Sequence, residues 1–233
     1  MPESKCRIEN FSFIALLIEN ILCRITYHLL DLVVFFRFKW FWLLNALLFY
    51  YYMFNSPYKI VMRNISNKDL VYENLIYGET PFSTLRKVFS TIKANSNYKF
   101  IDIGSARGLN VFLAGLYYKM ESTGIELLDD YVIRAKKIAK LMNITNVRFY
   151  NIDFQKYDIS EFDIIYVSCA TWDSFQMKSL TEKLAEVKKG AYIVTVSVSL
   201  KLDCLKEIDS FKGCFSWGYS TIYFYQKCDI IKI

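Results

Sequence analysis

The sequence predicts an α/β protein: a doubly wound, mostly parallel sheet with an antiparallel strand at one edge, preceded by a hydrophobic helical segment. Three observations carry this. From Lys99 onward, short apolar strand-like runs alternate with stretches patterned as helices. All 8 glycines fall from Gly78 onward, so residues 1–56 form a compositionally separate part. The last patterned run, SWGYSTIYFYQK, is rich in β-branched and aromatic residues and has no helix after it, as expected of an antiparallel addition.

In chain order, KFIDIG reads as the first strand, GLNVFLAGLYYKM as a helix, STGIE as the second strand and DDYVIRAKKIAKLM as a helix with apolar residues at three and four spacing. NVRFYNID and FDIIYVS follow as strands three and four. SFQMKSLTEKLAEVKK is an amphipathic helix ended by Gly190, and AYIVTVSVS is strand five. Ligands of such sheets sit at the carboxyl ends of the first strands.

The N-terminal part holds apolar runs at Phe11 to Ile18, Leu29 to Phe36 and Trp40 to Phe54, the second interrupted by Asp31. The last is shorter than the roughly 20 residues a bilayer core requires, so spanning depends on Arg37 and Lys39 snorkelling. Membrane anchoring is the reading taken for residues 1–56; the alternative is a helical cap on the domain or a partner. Residues 57–98 form a connecting region and residues 99–233 the ligand-binding domain.

Composition narrows the function. A hydrophobic fraction of 54% excludes a disordered chain, and the net charge of +6 is scattered rather than clustered, so no nucleic acid is expected. A single histidine, His28, leaves the domain without histidine triads or the usual zinc ligands, and no metal is expected. The 6 cysteines show no CxxC pair and read as free thiols in a reducing compartment, on the cytoplasmic side of the membrane.

Chemistry concentrates at three strand ends. Asp102-Ile103-Gly104-Ser105-Ala106-Arg107-Gly108 places small residues where backbone can approach a ligand at a helix N-terminus. Against a nicotinamide fingerprint, Ala106 and Leu109 stand where the second and third glycines belong. Asp102 would repel a pyrophosphate, but it can accept hydrogen bonds from a cationic amino-acid group through water. Glu126, 24 positions later, can take both hydroxyls of a ribose. Asp153 can accept from an adenine amino group, with Phe154 lining the base. Any one of these acids alone could be a helix cap; three at successive strand ends point to a nucleoside cofactor.

These motifs resemble those of class I S-adenosylmethionine-dependent methyltransferases over about residues 70 to 227, with Ala106 where most members carry glycine. IYGETPFSTL, from Ile76 to Leu85, resembles the entrance motif of the Dot1-like protein-lysine methyltransferases, IDF at 152 to 154 their adenine contact, and FSWGYSTIYFY their late Ser-Trp turn. The resemblance implies S-adenosyl-L-methionine as cofactor, held also by Tyr77, Glu79 and Thr80, and a protein substrate whose amine enters a channel walled by Trp217 and Tyr223. Where those lysine enzymes carry an Asn-rich segment, this chain has Val167-Ser168-Cys169-Ala170-Thr171-Trp172. Ser168 and Trp172 are therefore the groups left to position an amine, while Cys169 reads as a buried thiol. Two rivals remain: a catalytically silent binding module at a membrane, and an enzyme methylating a small molecule or lipid.

Overall fold

A computed structural model describes residues 36–68 and 77–229, together with Ile21, Leu22, Ile25, Thr26, Leu29 and Asp31. The run from Phe11 to Ile18, Ile76 and His28 lie outside the described residues.

Seven strands form one sheet: β1 (Lys99–Ile103), β2 (Glu121–Glu126), β3 (Val147–Asn151), β4 (Ile164–Ser168), β5 (Tyr192–Val196), β6 (Leu205–Phe215) and β7 (Gly218–Lys227), in the order β3-β2-β1-β4-β5-β7-β6. β1 to β5 pair in parallel, and β7 pairs antiparallel with both β5 and β6. The strand order reverses between β1 and β4, the switch point where a ligand crevice opens. The expected antiparallel edge strand is thus a hairpin: β7 is interior and β6 is the edge. Hydropathy alone does not mark β6, because LKEIDSFKGCF is mostly exposed and gains its ladder from β7.

Six helices are described: α1 (Lys39–Tyr52), α2 (Pro57–Lys68), α3 (Phe82–Thr91), α4 (Leu109–Tyr117), α5 (Asp129–Leu141) and α6 (Ser174–Ala185). The alternation of strand side chains divides the core. Phe100, Ile164, Tyr166, Val194 and Phe224 meet α1, α3, α4 and α5 on one face, whereas Ile101, Ile165, Ile193 and Tyr225 meet Leu180 and Leu184 of α6 on the other. The region expected as a connection, 57–98, therefore contains two helices, one of them buried along Phe82, Leu85, Val88 and Phe89.

The apolar run Trp40 to Phe54 is largely α1, and it is two-sided. Phe41, Leu44, Leu48 and Tyr52 are buried in the same core as Phe82 and Phe112, while Leu43, Phe49 and Tyr50 are exposed. Asp31, which breaks the preceding run, accepts from the Phe82 and Ser83 N–H groups at 3.2 and 2.9 Å. It caps α3, whose own N-cap residue, Pro81, supplies no side-chain bond. Among the described residues no helix is long and apolar enough to cross a membrane. Cys169, Cys204 and Cys228 are free thiols as expected; Cys214 is not, being disulfide-bonded.

Candidate active site

The β1–α4 turn rewinds the chain through three left-handed residues, Gly104 (φ +79°), Ala106 (φ +43°) and Gly108 (φ +81°). The Gly104 and Ser105 N–H groups both donate to Ile125 O, at 2.9 and 3.0 Å, tying the turn to β2. The two glycines do different work. A Cβ on Gly104 would meet no atom within 4 Å and would project into the crevice, so this glycine leaves room for a ligand. A Cβ on Gly108 would lie 2.4 Å from the Phe149 ring, so the bare Cα of Gly108, expected at the cofactor, is required by packing.

Glu126 ends β2 with its carboxylate fixed by backbone: the Ala106 N–H donates to Oε2 at 2.9 Å and the Leu128 N–H to Oε1 at 3.0 Å. Each oxygen keeps a lone pair for a further donor. Burial raises the Glu126 pKa above the usual carboxylate range, against the lowering pull of those N–H groups. Asp102 is 4% exposed. Its burial pushes the pKa up to about 7, the Asn110 side chain opposing by hydrogen bonding and the Glu126 charge adding to the rise.

The entrance segment and the late turn hold each other. The Glu79 N–H donates to Ser216 Oγ at 2.8 Å and the Ser216 N–H returns a bond to Glu79 O at 3.1 Å. Trp217 then lies on Gly78, where a Cβ would stand 2.4 Å from its ring; its indole N–H donates to Ser220. Thr80 shares a buried 2.7 Å hydrogen bond with the Tyr166 hydroxyl on β4. Arg107, in the cofactor turn, donates twice to Glu79 Oε1, at 2.8 and 2.5 Å, with its guanidinium over the rings of Tyr52 and Tyr77. Sequence spacing gives no sign of this pair, since its partners stand 28 positions apart.

A cavity of about 370 Å³ runs from Glu126, Leu127, Ile152 and Phe154 to Gly78, Ser168 and Trp217, with Tyr77, Tyr131 and Val61 of α2 along its wall. That volume is ordinary for a small-molecule site. A second pocket of about 40 Å³ is lined by Thr80, Asp102, Ser105, Asn110 and Tyr166. Gly78, Gly104, Ala106, Ser168 and Trp217 line both, so the two spaces meet there.

Several expected positions are redistributed. Trp172 stands against Phe154, ring centroids 5.2 Å apart, at the end of the cavity expected for adenine rather than among the acceptor groups. Asp153 caps the short turn Phe154–Lys156 by accepting from the Gln155 N–H at 3.0 Å, and it lines neither cavity. Tyr223 also lines neither: strand alternation turns it toward the α6 face with Tyr225, whereas Trp217 packs on the opposite face with Phe215. Cys169 is buried, and burial pushes its thiol up to about 12, as suits an inert group.

The arrangement fits S-adenosylmethionine. The open space at Gly104 and the pre-oriented Glu126 would receive its nucleoside, and Phe154 with Trp172 an aromatic base. Asp102 would face the ammonium of its amino-acid end, beside Ser105 Oγ and Asn110 Oδ1, both buried without a hydrogen-bond partner. The group itself supplies an electrophilic methyl on a sulfonium. What the chain's residues add is alignment and exclusion of water at the junction near Ser168 and Trp217.

Similarities to known proteins agree. An RNA methyltransferase from Salinibacter ruber, solved with S-adenosyl-L-homocysteine, matches at TM-score 0.55 and 21% identity over 66% of this chain and 95% of its own. MtNAS in complex with S-adenosylmethionine matches at TM-score 0.52 and 13% identity, over 63% of this chain and 61% of its own. TrmN from Thermus thermophilus matches at TM-score 0.53 and 12% identity, covering 61% and 48%. At such identities these show the fold alone, and the chain spans about half to three-fifths of the last two. No curated protein matches the sequence significantly. Family match and fold together define an S-adenosylmethionine-dependent methyltransferase. Residues 61–213 match the family described as histone methylation protein DOT1, and the chain belongs to that family.

Proposed function

We propose that this chain transfers a methyl group from S-adenosylmethionine to the side-chain amine of a lysine in a protein substrate. The observation that supports this most is the clasp between Glu79 and Ser216, which sets Trp217 on Gly78 where the two cavities meet. An aromatic wall over a narrow junction suits a long, slender amine and disfavours its charged form through desolvation. Ser168, lining both cavities, is the hydroxyl placed to orient that amine by hydrogen bonding. The Asn-rich segment of the family's lysine enzymes is replaced here, so the acceptor is tested directly. Full-length protein is incubated with methyl-labelled cofactor and core histones, followed by acid hydrolysis and mass spectrometry for Nε-methyllysine. Label in lysine supports the reading; cofactor binding with no label in the histones overturns it for a histone lysine, and no label in the organic extract either would favour a silent module.

A second reading, methylation of a lipid or other small molecule, is favoured by the exposed apolar side chains of the N-terminal helices. Label extracted into organic solvent rather than retained on protein would decide for it.

A further inference from the structure

Exposed large apolar side chains are not scattered over this protein. Of the 20 among the described residues, 13 fall between Ile21 and Met62, so most of the exposed large apolar side chains come from one stretch of the chain. Helix α1 turns Phe41, Leu44, Leu48 and Tyr52 into the core, and the opposite arc carries Leu43, Phe49, Tyr50 and Met53, continued by Phe54. Charge on the same stretch has one sign. Residues 32–68 contain Arg37, Lys39, Lys59, Arg63 and Lys68 and no acidic residue, and the preceding Asp31 is engaged as the cap of α3.

We propose that α1 seats the protein side-on upon an anionic phospholipid surface, apolar arc inward, without crossing it. Interfacial helices bind in this way: apolar side chains enter the headgroup boundary while basic residues meet anionic headgroups. Crossing is opposed by length and by packing. The 14 residues of α1 reach only about 21 Å against a hydrocarbon core of roughly 30 Å. Its inner face cannot leave the domain without uncovering the core, and Arg134 Nη1 grips its C-terminal end by donating to Tyr51 O at 2.7 Å. Arg107 over the Tyr52 ring joins the same helix end to the cofactor turn, so a docked α1 would hold the cavity at a set height above the lipid.

The proposal is independent of which acceptor is methylated. Full-length protein is sedimented with phosphatidylcholine vesicles, alone or with about one third phosphatidylserine. Co-sedimentation with the anionic vesicles, weakened by salt, is expected. Leu43→Ser, Phe49→Ser and Phe54→Ser combined should lower vesicle affinity at least tenfold while cofactor affinity, measured by calorimetry, stays unchanged. An alkaline carbonate wash should release the wild-type protein. The idea is overturned if neither vesicle is bound, if neutral and anionic vesicles bind equally, or if the triple variant binds as wild type does. It is overturned equally by retention through the carbonate wash, which means spanning. A lipid-free dimer that the triple variant dissociates would assign the face to a second copy.

Discussion

The Ala106 N–H donates to the Glu126 carboxylate at 2.9 Å from a residue that adopts the left-handed conformation usually left to glycine. The side chain that departs from the family's pattern therefore does not prevent the turn from orienting the Glu126 carboxylate. Within this turn, Ala106 is the one residue with a side chain at positive φ.

Replacing Ala106 by glycine relieves a left-handed penalty of about 1 kcal/mol but frees the unfolded chain by a similar amount. Ala106→Gly is expected to change the unfolding free energy by less than about 1 kcal/mol and to keep cofactor affinity. Ala106→Val, β-branched at positive φ, should cost on the order of 2 kcal/mol and weaken the cofactor. Thermal unfolding with calorimetry checks both; a valine variant as stable as wild type would contradict the assigned conformation.

Arg107 and Glu79 are 18% and 24% exposed in their side chains, so their pair is screened less than a surface bridge. Removing either partner leaves a charge poorly solvated beside Tyr52 and Tyr77. Arg107→Leu should weaken cofactor binding roughly tenfold by loosening the entrance segment, and Arg107→Lys should recover part of that. In a double-mutant cycle with Glu79→Gln, a coupling energy of about 1–2 kcal/mol is expected. Additive effects would mean that the two side chains do not act together.

Parts of this site are legible in the sequence because they ride on local pattern. The strand–turn–helix at Asp102 to Gly108, the strand-end Glu126 and the YGET segment all fall where alternation puts the carboxyl edge of a parallel sheet. Other parts depend on partners distant in sequence. Asp31 reads as a flaw in an apolar run until α3 needs a cap, and Arg107 reads as a stray cation until Glu79 is folded beside it. Tyr223 shows the opposite failure. Its aromatic ring and its strand suit the channel, but register and pleat turn it to the other face. α1 illustrates why composition misleads: a run apolar on all sides gives no sign of which arc the domain covers.

Asp102 makes the protein sensitive to pH near neutrality. Its folded pKa, about 7, stands above the ordinary carboxylate value of 3.8, so the folded state holds the proton more tightly than the unfolded one. The resulting stability is fully present below about pH 4 and is lost as pH rises through 7, an effect on the order of 4 kcal/mol at most. A bound ammonium reverses the preference by stabilising the carboxylate. Cofactor binding at pH 6 should therefore expel close to one proton, and affinity should fall as pH drops below 7. Calorimetry in buffers of different ionisation enthalpy measures this, and Asp102→Asn should flatten the dependence. An unchanged pH profile in that variant would assign the titration elsewhere.

Gly78 and Trp217 provide the most direct test of the acceptor junction. A Cβ at Gly78 would lie 2.4 Å from two atoms of the Trp217 ring, closer than packed atoms tolerate, so Gly78→Ala must displace the indole or the entrance segment. Trp217 lines both cavities at their meeting point, and its displacement should misalign the acceptor more than the adenosine, which Glu126 and Phe154 would hold at the other end of the larger cavity. Gly78→Ala is expected to lower the rate of methyl transfer at saturating cofactor by about tenfold or more, with a smaller change in cofactor affinity. Trp217→Ala should be slow for the same reason. The two changes act through one contact, so adding Gly78→Ala to Trp217→Ala should cost little further. Single-turnover rates of the three variants decide the matter. If their effects multiply, the glycine serves the backbone of the entrance segment, and the indole is not the wall that it makes room for.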